Sequence, residues 1–157
     1  EMREKKKKEA EEIYAEKKRK VIEEQKKLDD MKQKLKDMVK ARQDKKAEYA
    51  ERTRRGEYTV SQIQGNDRHV ERLKQQEAAY QVEIDRQEER LHEAERVAAE
   101  AMEVVVKCTQ DFKALEKHKE KWLKQVKREQ MMKEELAADD IAQAQYFQKL
   151  LEELGEA

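Results

Sequence analysis

The chain has 157 residues, of which 47% are charged and only 36% belong to the apolar set, with three glycines and no proline. So polar a chain cannot enclose a sizeable globular core, because each helix has apolar side chains for a narrow stripe alone. Acidic and basic residues balance at 37 each, so a whole-protein field that would gather nucleic acid or an anionic membrane is missing. No apolar run of about 18 residues offers a membrane span. The chain starts at Glu1 rather than Met, and no secretory signal is present, so a trimmed fragment lacking some N-terminal residues is expected. A lone Cys108 cannot form an internal disulfide, which suits a reducing cytoplasm.

The first segment places Tyr14, Val21, Leu28, Leu35 and Tyr49 on one heptad position and Ala10, Met31 and Met38 on the other, which predicts a helix over about residues 2–55. Lys7, Lys17, Glu24, Arg42 and Lys45 fall on the same seam and weaken it. A tip loop follows at about residues 56–59. Gly56 permits the left-handed backbone that ends a helix, and Arg54 and Arg55 set positive charge against the negative end of the helix dipole. Thr59 and Gln62 form a Thr-x-x-Gln capping box that opens the second helix.

That second helix, about residues 60–154, carries the strongest pattern in the chain. Ile63, Val70, Ile84, Leu91, Ala98, Val105, Phe112, Val126, Phe147 and Leu154 share heptad position a. Leu73, Tyr80, Ala94, Ala101, Cys108, Leu115, Trp122, Leu136 and Leu150 share position d. A grid sustained this long means one helix of about 95 residues, roughly 140 Å at ~1.5 Å per residue, with a partner along its seam. Gly65 and Asn66 lie in its first turns, where fraying at the tip is expected, with a designed hinge as the alternative.

A turn at the tip folds the first helix back on the second, and a residues then face d residues. Facing numbers add to about 115, which sets Met31 by Ile84, Leu35 by Tyr80, Val21 by Ala94, Tyr14 by Ala101 and Ala10 by Val105, each an a-to-d pair. The expected fold class is all-α: a long two-helix antiparallel coiled-coil hairpin with an extended second helix, residues 1–157 forming a single hairpin. Residues from Leu115 onward face nothing in the first helix, and missing N-terminal residues would cover part of them. Their seam, with Trp122, Val126, Leu136, Phe147, Leu150 and Leu154, reads as a partner-binding surface, a dimer contact or a frayed end.

Nothing in the chain forms a catalytic constellation, so an enzyme is not expected, nor a cofactor or metal. No glycine-rich phosphate loop exists, and His69, His92 and His118 are far apart and read as solvated helix residues. Cys108, at a d position, reads as a buried small hydrophobe. The basic runs Lys5–Lys8 and Lys17–Lys20 read as solvated faces answered by Glu9, Glu11, Glu12 and Glu16, with an acidic partner or lipid headgroups as the alternative. At the tip, Arg52, Arg54 and Arg55 with Tyr49 and Tyr58 make an aromatic and arginine cluster of the kind found in interface hot spots. Its alternative reading is dipole pairing and tip packing.

The stretch from Ala114 to Trp122, followed by Lys127-Arg-Glu-Gln and by the acidic segment Ala137 to Ile141, resembles the central stalk proteins of type III secretion ATPases. These are the YscO/SctO-type injectisome proteins and their flagellar FliJ relatives. The likeness covers nearly the whole chain in layout, although the short apolar N-terminal segment usual in members is not seen. It implies a non-enzymatic stalk, cytoplasmic and at the inner-membrane base of a secretion apparatus. One end would enter the hexameric secretion ATPase, the other would reach the export gate's cytoplasmic ring, and export chaperones would be further partners. Carried onto this sequence, the ATPase end comprises residues 1–20 with 108–154, and the gate end residues 49–73. The His-Lys-Glu-Lys-Trp stretch favours the injectisome type. A competing function is a structural or adaptor coiled-coil spacer that dimerises through the C-terminal part of the second helix. A nucleic-acid arm is disfavoured by zero net charge and sparse aromatics.

Overall fold

A computed structural model describes residues 1–156. It contains two helices, α1 over Met2–Arg54 and α2 over Val60–Glu156, of 53 and 97 residues. Lys, Glu, Ala, Gln, Leu and Arg dominate both, residues that lose little freedom on becoming helical, and α1 contains neither glycine nor proline. Side-chain bridges four residues apart support the turns, as in Gln25 to Asp29 at 3.0 Å, Gln33 to Asp37 at 3.1 Å and Gln81 to Asp85 at 3.0 Å. Contacts divide the chain into residues 1–107, which hold α1 and the first part of α2, and residues 108–157.

In the first unit the helices run antiparallel through a turn that follows the sequence signals closely. Gly56 has φ of 74°, the left-handed conformation that side chains disfavour. Its amide donates to the Thr53 carbonyl at 3.0 Å, and the Glu57 amide donates to the Arg52 carbonyl at 3.0 Å, together a Schellman closure. The capping box also forms. The Gln62 amide donates to Thr59 Oγ1 at 3.2 Å, and the Thr59 amide donates to Gln62 Oε1 at 2.9 Å.

Partly or fully buried positions recur at alternating steps of three and four along both helices, so the seam is a single stripe on each. Leu28, Ile84 and Leu91 form its centre, with Val21, Met31, Leu35 and Tyr80 packed against them. Met31 and Ile84 thus sit in one cluster, as the facing register requires. Burying each large side chain contributes about 1.5–3 kcal/mol, so stability accumulates over many layers. Nearer the chain start Ala10 and Ala98 are buried on the seam, with Tyr14, Lys17 and Val105 half-buried.

Two expectations are revised here. Gly65 and Asn66 do not fray: both lie in regular helix, and the Asn66 amide nitrogen is buried without a hydrogen-bond partner. Glu24 and Arg42 do not merely dilute the seam, because α2 supplies polar partners on its own stripe. Gln87 donates to the Glu24 carboxylate and, at 3.1 Å, to the Glu24 carbonyl. Arg42 Nε donates to both carboxylate oxygens of Glu77, at 2.7 and 3.1 Å. Each pair lies one layer off the directly facing position, on opposite sides of it.

The second unit, residues 108–157, is helical through Glu156. Residues 113–155 are exposed throughout.

Candidate functional site

The tip draws its side chains from the end of α1, the turn and the start of α2. Tyr49 meets Tyr58 edge-on, with ring centroids 6.2 Å apart and planes at 74°, and meets His69 at 6.2 Å and 69°. Lys45 Nζ lies 5.2 Å from the Tyr49 ring, and the Arg52 guanidinium 4.8 Å from that of Tyr58. Arg52 Nε also donates to Glu57 Oε2 at 2.8 Å, and this bond raises the guanidinium's already high pKa. Tyr49, Tyr58 and His69 are therefore half-buried and part of the tip's own packing. His69 is not the solvated residue that its isolation in sequence suggested, since the turn brings it to Tyr49 across the hairpin.

Arg54 and Arg55 behave differently. Both stay exposed and converge on Glu51, at 2.8 and 3.3 Å. Of the five tip residues singled out from sequence, these two present charge outward, while Tyr49, Arg52 and Tyr58 hold the tip together. The residues that sequence reading missed are His69, Glu51 and Glu57. The register could have supplied His69, which lies beside Val70 of the seam.

The C-terminal positions form the second candidate surface. Trp122, Val126, Leu136, Phe147, Leu150 and Leu154 are all exposed, as are Leu123 and Leu151 beside them. An apolar stripe of this extent, rimmed by charge, is the usual mark of an interaction surface.

The basic runs carry no comparable construction. Lys20 is 3.1 Å from Glu24, Lys8 is 4.0 Å from Glu4, and a groove between α1 and α2 mixes Lys17, Lys20 and Arg90 with Glu89 and Glu93. Both signs of charge line it. Hydrogen bonding to Gln87, then to Lys20, holds the Glu24 carboxyl below the usual carboxylate value. Arg96 likewise lowers Glu93, on an exposed face. Among the described residues no group of three His, Cys, Asp or Glu side chains could hold a metal ion, and no helix is long and apolar enough to cross a membrane.

The first unit is a charge-rich antiparallel coiled-coil hairpin, and the second is a helix whose apolar seam residues are exposed. The chain belongs to the YscO-like family, whose model matches residues 1–151. Membership associates it with type III secretion, as a structural component of that apparatus. No curated protein and no solved structure matches the chain.

Proposed function

We propose that this protein is a non-enzymatic central stalk, linking the hexameric secretion ATPase to the cytoplasmic ring of the export gate in an injectisome-type apparatus. It would stand in the cytoplasm at the inner-membrane base and assist protein export, with export chaperones as further partners. The observation that carries this reading is the apolar stripe of residues 115–154, exposed in a chain otherwise dominated by charge. In it Trp122, Leu136 and Phe147 supply the anchors for the ATPase ring. The tip, with Arg54 and Arg55 facing outward on a packed aromatic base, supplies the opposite contact, toward the gate.

A single asymmetric hairpin inside a six-fold ring would break the ring's symmetry and let its subunits fire in order. This gives a physical reason for a stalk without chemistry of its own. The test is titration of the protein into its purified cognate ATPase. The stalk reading expects enhanced hexamer formation and hydrolysis, diminished by Trp122→Ala or Leu136→Ala and unchanged by substitutions at Arg54. No effect of the wild-type protein on either quantity would overturn it.

A further inference from the structure

The seam of the C-terminal unit is not uniformly apolar. Between its exposed apolar positions it carries Lys119, Lys133 and Asp140 at a and Glu129 at d. These charges decide what can cover it. A parallel copy in register would stack Lys133 on Lys133, Asp140 on Asp140 and Glu129 on Glu129, like charge on like charge.

An antiparallel copy sets a against d, and its registers differ by whole heptads. One register matches the chain to itself. Leu115 then meets Phe147, Val126 meets Leu136, and Glu129 meets Lys133, each pair occurring twice about the two-fold axis. The two remaining layers set Lys119 by Gln143 and Trp122 by Asp140, placing no like charges together. Shifting one heptad in one direction sets Glu129 by Asp140 and Lys119 by Leu150. Shifting in the other sets Val126 by Glu129 and Trp122 by Lys133.

We propose that in the free protein this face is covered by the same face of a second copy, antiparallel, in the register that pairs Glu129 with Lys133. The surface from Leu115 to Phe147 gives each helix roughly 50 Å of contact at ~1.5 Å per residue. Such a contact is isologous, so it closes as a dimer and does not propagate. Any other partner of the stripe must then displace the second copy. The proposal concerns the chain alone, so its failure leaves the stalk reading standing, and failure of the ATPase titration leaves this pairing standing.

Sedimentation equilibrium of the full chain under reducing conditions tests it. The expected result is a monomer–dimer equilibrium that Lys133→Glu or Glu129→Lys weakens by about tenfold or more, and that the double exchange E129K/K133E restores. Circular dichroism on the same samples checks that the helices persist. As a second measurement, in a C108S background, Val126→Cys with Leu136→Cys should give disulfide-linked dimers on mild oxidation, and Val126→Cys with Gln143→Cys should not. A monomer at every concentration, a dimer indifferent to charge reversal, a double exchange that fails to restore it, or linkage through position 143 instead would each overturn the proposal.

Discussion

Replacing Gln87 with leucine tests the buried polar layer of the hairpin directly. Gln87 is 2% exposed and donates to the carboxylate and carbonyl of Glu24, itself 5% exposed. Leucine removes both donors and leaves the charge in place. A hydrogen bond to a charged group contributes about 1.5–3 kcal/mol. The Lys20 ammonium, 3.1 Å away, keeps part of the compensation. Leucine also adds apolar burial, so the net loss should be about 1–2 kcal/mol. The double variant E24L/Q87L removes the stranded carboxylate and should regain that loss or more, because an apolar layer commonly replaces a buried polar pair at no cost. Urea denaturation of the wild type, E24L, Q87L and the double variant, followed by far-ultraviolet circular dichroism, gives the four values, and the cycle should show a coupling of about 1–2 kcal/mol.

The same pair predicts an acid limb. Because the folded Glu24 carboxyl titrates below its ordinary value of 4.5, the unfolded chain takes up the proton first as pH falls. Its contribution is complete above that value and disappears as pH drops through the depressed folded one. Q87L should flatten this limb, since the Gln87 bond is its largest cause. A Q87L protein as stable as the wild type, with an unchanged acid limb, would refute the reasoning.

Three further outcomes follow from the backbone and the second polar layer. Gly56→Ala should cost about 1–2 kcal/mol, because φ of 74° forces an alanine into left-handed backbone, and a lowered thermal midpoint would show it. Gly65→Ala should stabilise by about 1 kcal/mol, since the glycine is helical and an added Cβ meets no atom within 4 Å. Arg42→Ala leaves Glu77 without its donor on a side chain only 11% exposed and should cost about 2 kcal/mol, which the apolar pair R42M/E77L should recover in the same denaturation assay.

The hairpin was legible in sequence because several local signals agree. The heptad grids, the glycine at 56 and the Thr59–Gln62 box each place the turn at the same residues, and the structure forms all of them. What stayed hidden was pairing that depends on side-chain reach. Glu24 and Arg42 looked like defects because their partners, Gln87 and Glu77, lie one layer away from the facing position. The helix runs unbroken through Gly65 and Asn66 behind the formed Thr59–Gln62 box, so the weak local preference of one glycine does not interrupt it. At the tip, composition left an interface cluster and tip packing both open, and the geometry turns Tyr49 and Tyr58 toward each other while Arg54 and Arg55 stay exposed on Glu51.

The two polar rungs have a mechanical consequence. A hairpin zipped by leucines alone could slide by one heptad and lose little. Here such a slip would carry Glu24 from Gln87 to Tyr80 or Ala94, and Arg42 from Glu77 to Val70 or Ile84, costing both charges their cross-helix partners at once. Load applied along the axis therefore meets a keyed joint with a single low-energy seating, and the two helices should bear tension and twist as one body.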